Sequence, residues 1–230
     1  MIDKKIIKVI IPALNEEASI GKVIADIPDF VDEVIVVDNG STDNTILKAK
    51  ECGATVLTES EKGYGAACLK GIEYVKDTSD IIVFLDGDYS DFPSEMDIVV
   101  NPILQDEYDF VLGSRMTGNR AKGALLPQAV FGNKLASVLM KILWGCSFTD
   151  LGPFRAIKTR SLLQLQMKDH NYGWTVEMQI KAAKQKLKTI EVPVSYRKRI
   201  GESKVTGTIA GTIKASIKIV YVIFRSVFAY

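Results

Sequence analysis

The sequence contains few of the residues that build soft-metal sites or disulfide frameworks. It has one histidine, His170, in a polar loop, and three cysteines, Cys52, Cys68 and Cys146, none at a metal-ligand spacing. An odd number of cysteines favours a reducing compartment. We therefore expect a cytoplasmic chain whose thiols are small buried side chains, with no zinc site at His170.

Long apolar runs and the common nucleotide-binding motifs are also missing. The amino-terminal run in MIDKKIIKVIIP is too short for a signal peptide, and a proline follows it at once. No GxGxxG follows the first predicted strand, and the chain contains no GxxxxGK[ST]. These absences argue against secretion, a Rossmann dinucleotide site and a P-loop.

The charge is small overall but unevenly distributed. The formal net charge is +1, whereas residues 197–230 carry seven Lys or Arg against one Glu, which leaves −5 on residues 1–196. A basic carboxyl-terminal segment indicates an anionic partner, either a membrane surface, a phosphate group or a nucleic acid.

Short Ile- and Val-rich runs alternate with longer helical patterns through the first half of the chain. The apolar runs are KKIIKVIIP, DEVIVVDNG, ATVLTE and DIIVFLDGD. Continuous apolar strands separated by amphipathic helices predict a parallel sheet covered on both faces. The predicted fold class is therefore α/β.

Acids and amides follow three of these predicted strands. Asn15 and Glu16 follow the first strand, Asp38 ends the second, and Asp86 and Asp88 follow the fourth. Ligands of open α/β sheets bind beyond the carboxyl ends of the strands, so we expect these side chains at one rim. Two carboxylates in a DxD arrangement suit a divalent cation that also binds a diphosphate. The alternative is that they cap the turn and the following helix.

Seven segments, three of which overlap the apolar runs above, follow one another along the chain: VIIPALNEEASIGKVI, VIVVDNGSTDNT, KGYGAACLKGI, FLDGDYSDFP, FVLGSR, TDLGPFRAI and RIGESKVTGT. They resemble the successive motifs of family-2 glycosyltransferases of the GT-A fold, with the closest likeness to the dolichyl-phosphate mannose synthase branch, the polyprenyl-phosphate sugar synthases. The resemblance implies a Rossmann-like, mostly parallel sheet flanked by helices. It also implies inverting transfer of a sugar from a nucleotide-diphosphate donor, with Mg²⁺ or Mn²⁺ held by the DxD acids.

The resemblance assigns roles to single positions. It places the donor against Pro12, Ala13, Asn15, Glu16, Asp38, Gly65 and Asp86, and the metal on Asp86 and Asp88. Many synthases have Gln where this chain has Ser90, so water or Asp91 is the alternative third ligand. Arg115, Arg199 and Lys204 resemble the basic residues that hold phosphate oxygens, a role that suits the forked donors of arginine.

One position departs from the family pattern. Related synthases have an arginine before GN.LA, whereas this chain has LPQAVFGNKLA, with Ala129 at that place. Arg120, Lys122 or Lys134 could replace the missing acceptor-phosphate contact. Otherwise the acceptor is not a polyprenyl phosphate.

The catalytic base has two candidates, Asp150 and Glu177. An acceptor phosphate is already ionised and could attack unaided, whereas an alcohol would need a carboxylate to take its proton. Asp150 precedes Leu-Gly-Pro and could instead form a turn, and Glu177 lies in the first turn of a predicted helix, where acids are favoured by the dipole. Tyr172 and Trp174 are expected either to wall the sugar pocket or to pack in the core.

The tail predicts a helix with a basic stripe of Lys214, Lys218 and Arg225 beside an apolar face. We expect a GT-A domain over residues 1–208 and an amphipathic helix over 209–230, lying in the membrane plane or packing on the domain or another subunit. The expected partners are a nucleotide sugar, a lipid-linked acceptor, the inner membrane face and a second copy, but no nucleic acid. The donor, UDP-sugar or GDP-mannose, stays open, as do another lipid or glycan acceptor and a non-catalytic binding protein.

Overall fold

The structure, a computed structural model, describes residues 5–201 and 209–228, with side chains of the last helix described from residue 216. Lys204, which the sequence proposed as a phosphate ligand, lies outside the described residues. The amino-terminal half follows the predicted alternation of strands and helices.

The described residues form seven strands and eight α-helices. The strands are β1 (Ile7–Ala13), β2 (Glu33–Asp38), β3 (Thr55–Thr58), β4 (Ile81–Phe84), β5 (Phe110–Ser114), β6 (Arg155–Lys158) and β7 (Thr189–Pro193). The helices are α1 (Ile20–Ala25), α2 (Thr45–Glu51), α3 (Tyr64–Val75), α4 (Met96–Leu104), α5 (Pro127–Trp144), α6 (Thr159–Leu165), α7 (Trp174–Lys184) and α8 (Ile209–Phe228), with a 3₁₀ turn at Pro93–Glu95 before α4. The four predicted apolar runs become β1 to β4.

The strands form one sheet in the order β3-β2-β1-β4-β6-β5-β7. β6 runs antiparallel to β4 and β5, and every other neighbouring pair is parallel. This arrangement confirms the predicted mostly parallel α/β sheet. Because β1, β2 and β4 are neighbours with the same direction, their carboxyl ends meet at one rim.

Both faces of the sheet are covered, which explains why the central strands are apolar throughout. Successive side chains of a strand point to opposite faces. Ile10 and Phe84 accordingly lie in one core cluster, and Val9 and Val83 lie in the cluster on the other face. A strand buried on both sides has no solvent face on which polar residues could alternate.

Helix α8 packs against α5 and α7. Val222 and Ile223 are buried in the same core cluster as Trp174, and Lys218 Nζ lies 2.8 Å from Asp169 Oδ2. Helix α8 therefore has one face on the body of the protein, and the domain boundary after residue 208 stays a prediction. Within the described ranges, no helix combines the length and the apolar character needed to span a bilayer.

Candidate active site

A pocket of about 290 Å³ lies at the carboxyl ends of β1, β2 and β4, and we call it the rim pocket. Its lining comprises Pro12, Ala13, Leu14, Glu16, Asn39, Lys62, Gly63, Tyr64, Ala67, Asp86, Gly87, Asp88, Asn171, Tyr172 and Arg199. The residues that follow three different strands therefore share one cavity, as their positions in the sequence predicted.

Of the positions predicted to contact the donor, four line the rim pocket: Pro12, Ala13, Glu16 and Asp86. The other three, Asn15, Asp38 and Gly65, are not among its lining residues and instead hold the segments around it. The Asp38 carboxylate accepts hydrogen bonds from the backbone of Gly40 and Ser41 at 3.0 and 3.1 Å, and so fixes the turn after β2. Asn15 Oδ1 accepts a 2.8 Å hydrogen bond from the backbone of Thr42, which ties the loop after β1 to the same turn.

Gly65 has a packing role at the start of α3. A Cβ atom there would lie 2.0 Å from the carbonyl oxygen of Asp169, so only glycine permits this approach of α3 to the loop at 169–173. That loop carries Asn171 and Tyr172 to the rim pocket. Substitution of Gly65 would displace the pocket wall, although Gly65 is not among the residues lining the cavity.

Asn39 and Lys62 also line the rim pocket, and neither was predicted from the sequence. Asn39 Nδ2 donates to the Glu61 carbonyl and its Oδ1 accepts from the Gly63 amide, both at 2.7 Å. Lys62 Nζ donates to the Asn39 carbonyl at 2.9 Å. The available signal was the position of Asn39 directly after Asp38 at a strand end.

Of the two DxD carboxylates, Asp86 has an environment that favours a bound cation, whereas both oxygens of Asp88 have protein partners. Burial and the neighbouring charge of Asp88 raise the pKa of Asp86 to about 7, and Asp86 Oδ1 is buried with no hydrogen-bond partner in the described structure. Asp88 Oδ1 accepts a 2.9 Å hydrogen bond from the Ser90 amide, and Ser90 Oγ donates to the same oxygen. Ser90 thus orients Asp88.

A third carboxylate lies close to the pair in sequence. Both oxygens of Asp91 are buried without a hydrogen-bond partner among the described residues, and burial together with the charge of Asp86 raises its pKa well above the usual value. Nevertheless, across residues 5–201 and 209–228 no group of three or more His, Cys, Asp or Glu is arranged to hold a metal ion. Two carboxylates with phosphate and water as further ligands are a common Mg²⁺ site.

We expect Asp86→Asn to stabilise the metal-free protein at about pH 8 and to change its stability little at about pH 4. Between about pH 4 and 7 the folded state keeps the Asp86 proton that the unfolded state releases, because the pKa of Asp86 is raised from 3.8 to about 7 by burial and by Asp88. The wild-type free energy of unfolding therefore falls as pH rises, by at most ~1.4 kcal/mol per pH unit, and levels off above pH 7.

Urea unfolding in a metal chelator at several pH values measures this difference. Asp97→Asn, which alters an exposed carboxylate on α4, provides the control: it keeps Asp86, so its difference in stability from the wild type should not change with pH. A gap between wild type and Asp86→Asn that is the same at pH 4 and pH 8 would contradict the raised pKa.

Arg199 bridges two acids at the rim. Its Nη2 lies 3.0 Å from Glu16 Oε1, and its Nη1 lies 3.1 Å from Asp88 Oδ2. The guanidinium also lines a second cavity beside the rim pocket. Arg199 thus brings positive charge to the acids, at the border of both cavities.

The second cavity, the helix pocket, has a volume of about 560 Å³ and extends from the rim towards α5 and α8. It shares five lining residues with the rim pocket: Tyr64, Asp86, Asp88, Tyr172 and Arg199. The rest of its lining includes Arg115, Tyr196 and Lys198, the start of α5 with Leu126 and Ala129, and Ser216 and Ile219 of α8. The two cavities therefore meet at the DxD acids.

Arg115 and Asp150 form a buried bidentate ion pair at the wall of the helix pocket. Arg115 Nε donates to Asp150 Oδ2 at 2.8 Å and Arg115 Nη2 donates to Oδ1 at 2.7 Å. The Leu151 amide and Asn133 Nδ2 also donate to Oδ1. Burial alone would raise the pKa of Asp150, but the Arg115 charge and these donors outweigh burial and lower it. Asp150 is thus ionised and saturated with donors.

The carboxylate oxygens of Glu177 also have hydrogen-bond and ion-pair partners. Its carboxylate accepts hydrogen bonds from the backbone amides of Lys168 and Asp169 and lies 2.7 Å from Lys181 Nζ. These contacts fasten α7 to the loop at 169–173, and Glu177 is not among the described residues that line either cavity. Of the two neighbouring aromatics, Tyr172 lines both cavities, whereas Trp174 is fully buried in the core.

Ala129 lies in the wall of the helix pocket, where the family pattern has an arginine. Among the described side chains, the cations that line this pocket are Arg115, Lys198 and Arg199. Arg120, Lys122 and Lys134, the replacements considered from the sequence, are exposed and are not among its lining residues. Lys198 was missed because its side-chain direction depends on the fold of the segment after β7.

Comparisons with known proteins support the family assignment. A family model described as Glycosyl transferase family 2 matches residues 8–164. An uncharacterized glycosyltransferase of Mycobacterium bovis is 34% identical over 213 residues, covering 91% of this chain and 94% of its own. A dolichyl-phosphate hexose transferase of Haloferax volcanii is 32% identical over 199 residues, covering 85% of each chain.

A solved structure shares the fold. Glucosyl-3-phosphoglycerate synthase from Mycobacterium tuberculosis, crystallised with Mn²⁺, uridine diphosphate and glucosyl-3-phosphoglycerate, superposes with a TM-score of 0.77 at 24% identity. The match covers 96% of this chain and 79% of that one. The rim of acids, the sheet order and these similarities agree with the motifs quoted above, and the chain therefore belongs to glycosyl transferase family 2, as a glycosyltransferase of the GT-A fold.

Proposed function

We propose that this glycosyltransferase moves a sugar from a nucleotide-diphosphate donor to a polyprenyl phosphate of the dolichyl type, with inversion at the anomeric carbon. The observation that carries the proposal is the meeting of two cavities at Asp86, Asp88 and Arg199. A donor in the rim pocket and an acceptor in the helix pocket would face each other across these charges. The name of the Haloferax volcanii relative supports the acceptor class.

Asp86 and Asp88 would hold Mg²⁺ or Mn²⁺. The buried, unpartnered Oδ1 of Asp86 and the raised pKa of its carboxyl fit a cation between the two acids. When bound, the metal would neutralise charge on the diphosphate that leaves with the nucleoside. The Mn²⁺ and uridine diphosphate of the structurally similar synthase support this assignment and favour a UDP-sugar, while GDP-mannose remains the alternative donor.

The acceptor would be held by the cations of the helix pocket. Arg115, Lys198 and Arg199 present positive charge there, and a phosphate monoester is the anion they suit. In the transfer, an acceptor phosphate oxygen forms a bond to the anomeric carbon while the bond to the donor diphosphate breaks. The electron pair of that bond leaves with the nucleoside diphosphate.

A phosphate acceptor also fits the state of the two candidate bases. Asp150 is saturated by Arg115, Asn133 and the Leu151 amide, and Glu177 is held by two amides and a lysine. We therefore assign them holding roles: Asp150 fixes Arg115, and Glu177 fixes the loop at 169–173. An ionised phosphate needs no protein base, whereas an alcohol would.

The sequence-based domain and location assignments belong to the same proposal. Residues 1–208 would form the catalytic domain, and 209–230 would help to hold it as a peripheral protein at the inner face of a membrane, in the cytoplasm. A second copy as partner stays a prediction, and no nucleic-acid partner is expected.

A transfer assay tests the proposal. The protein with Mn²⁺ is incubated with radiolabelled UDP-sugars and GDP-mannose, with and without polyprenyl phosphate, and the label in the organic phase is counted. Label that depends on both Mn²⁺ and polyprenyl phosphate supports the proposal. Donor turnover with another lipid or a glycan only would assign a different acceptor, consistent with Ala129, and no donor binding or turnover would indicate a non-catalytic protein.

Because Arg199 lines the rim pocket as well as the helix pocket, we also expect it to contact the donor diphosphate. Arg199→Ala should therefore weaken donor binding by on the order of 2–5 kcal/mol, with Arg199→Lys intermediate, because lysine lacks the forked donors of arginine. Calorimetric titration with UDP or GDP in the presence of Mn²⁺ measures the change. Arg160→Ala, at an exposed arginine of α6, is the matched control. Unchanged affinity in Arg199→Ala would remove Arg199 from the donor site.

A further inference from the structure

Helix α5 carries a row of apolar side chains on its solvent side. Phe131, Leu135, Val138 and Ile142 follow a spacing of four, three and four residues, which places them on one stripe of the helix. All four are exposed, with Phe131 at 69% and Ile142 at 74%. A surface helix normally turns such a stripe to the core. Ala136 and Met140 already fill the core-facing side of α5, so the exposed stripe is a second apolar face of this helix.

Helix α8 repeats the pattern. Ile217, Tyr221, Phe224 and Phe228 have the same spacing and are all exposed, with Phe228 at 89%. The opposite side of α8 is occupied by the buried Val222 and Ile223. Helices α5 and α8 pack against each other, and both border the helix pocket.

The charged residues within the two helices have one sign. Neither α5 nor α8 contains an Asp or Glu, and residues 118–149 contain four basic residues and no acid. Lys134 and Lys141 are exposed on α5, and Arg225 is exposed on α8. The whole chain has a net charge of only +1, so this acid-free region is a local excess of positive charge.

We propose that the exposed stripes of α5 and α8 form a two-helix surface that docks on an anionic lipid bilayer. Apolar side chains flanked by basic ones are the features of helices that lie in the plane of a membrane. A second copy of the chain fits less well, because pairing this surface with itself would bring like charges together. Exposed apolar residues elsewhere, such as Leu47 and Leu163, stand on helices without such a stripe.

The docking surface gives α5 a function that the sequence assigned to the tail alone. It also sets the helix pocket beside the bilayer, because Leu126 and Ala129 of the α5 region and Ser216 and Ile219 of α8 line that pocket. A lipid-linked phosphate could then reach the acids while its chain stays in the lipid. This last point rests on the proposed function, whereas the docking itself does not.

Flotation of the full-length protein with vesicles tests the docking without donor or acceptor. The double variant Phe131→Ser/Ile142→Ser should lower partitioning onto phosphatidylcholine–phosphatidylglycerol vesicles more than about tenfold, since two large side chains lose their burial in lipid. The control Leu47→Ser/Leu163→Ser removes two exposed leucines from α2 and α6, outside the stripes, and should float like wild type. Thermal unfolding and nucleotide binding of both variants should match wild type, because the substituted residues are exposed and outside both cavities.

Substitution of the basic residues provides an independent test of the docking surface. Lys134→Gln and Lys141→Gln should each reduce binding to the anionic vesicles roughly fivefold, equivalent to about 1 kcal/mol per basic residue, and should not alter binding to pure phosphatidylcholine. Wild-type flotation by the Phe131→Ser/Ile142→Ser variant, or an equal loss in the Leu47→Ser/Leu163→Ser control, would overturn the proposal. So would a wild type that does not float but forms a dimer in sedimentation that the α5 substitutions dissociate.

The two proposals fail in different ways. If the proposed function is wrong, no variant transfers sugar to polyprenyl phosphate, yet the flotation pattern stands. If the docking surface is wrong, the α5 double variant transfers sugar to a vesicle-embedded acceptor at the wild-type rate.

Discussion

Asp88→Ala is expected to abolish metal-dependent binding of the nucleotide-diphosphate donor. Asp88 is buried at the point where the two cavities meet, and its oxygens are oriented by Ser90 and Arg199. Because even residues that only orient a metal ligand typically contribute 10- to 100-fold to metal affinity, loss of a direct ligand should cost on the order of 100-fold or more. Asp86→Ala should weaken binding as well, since the pair shares the cation.

Calorimetric titration of UDP and GDP, with Mn²⁺ and then with a chelator, separates the metal contribution from the rest. The wild type should lose affinity when Mn²⁺ is removed, and Asp88→Ala should bind equally weakly under both conditions. Asp97→Ala, at the exposed carboxylate of α4, should retain the Mn²⁺ effect. A normal Mn²⁺ effect in Asp88→Ala would remove Asp88 from the metal site and leave it as a partner of Arg199.

Asp150→Ala is expected to lower the free energy of unfolding by about 3–5 kcal/mol, the range found when one member of a buried ion pair is removed. The Arg115 guanidinium would lose both hydrogen bonds to the carboxylate, and its side chain is only 11% exposed. Displacement of Arg115 in the wall of the helix pocket should also reduce sugar transfer by on the order of 10²-fold.

Urea unfolding of the two single variants, Asp150→Ala and Arg115→Ala, and of the double variant measures the coupling. The double variant should be destabilised by less than the sum of the singles, because no unpaired charge remains buried. Asp106→Asn removes a carboxylate that pairs with Lys158 on the surface, and should cost less than about 1 kcal/mol. A loss of similar size in Asp150→Ala and Asp106→Asn would rule out an energetically important buried pair.

Asp150→Asn in comparison with Arg115→Ala distinguishes a holding role from a catalytic base. Asparagine keeps one acceptor oxygen but cannot satisfy the bidentate guanidinium, so both roles predict a loss of stability. If Asp150 only holds Arg115, the two variants should lower sugar transfer by similar factors. If Asp150 were the base, Asp150→Asn should lower transfer far more than Arg115→Ala, and transfer rates measured on folded protein decide between the two.

The sheet and the rim of acids were predictable because they follow from local patterns. Exposure of an apolar run such as IIVFL to water is unfavourable, and a parallel strand flanked by helical segments is buried on both faces. The parallel direction of β1, β2 and β4 then brings Glu16, Asp38 and Asp86 to the same edge. The antiparallel position of β6 between β4 and β5 has no comparable local signal, since the residues of a four-residue strand do not indicate whether it pairs parallel or antiparallel.

Side-chain direction was less predictable, because it depends on partners distant in sequence. Arg199 meets Glu16 across 183 positions of the chain, and Arg115 meets Asp150 across 35. The donor contact of Asp38 stays a prediction: its carboxylate accepts hydrogen bonds from Gly40 and Ser41, and its neighbour Asn39 lines the cavity. Successive side chains of a strand point to opposite sides, so the sequence alone did not show which of the two lines the cavity.

Motif order and apolar periodicity are local properties of the chain, so the family, the α/β sheet and the acids at its rim could be predicted from the residues. Which carboxylates keep an unpartnered oxygen depends on contacts between distant elements of the fold. Asp86 retains one, whereas Asp150 and Glu177 have theirs occupied by donors from other elements. The tertiary structure also decided that α5 leaves an apolar stripe in solvent, since a stripe in the sequence predicts a buried face, and only packing shows which face the core has already filled.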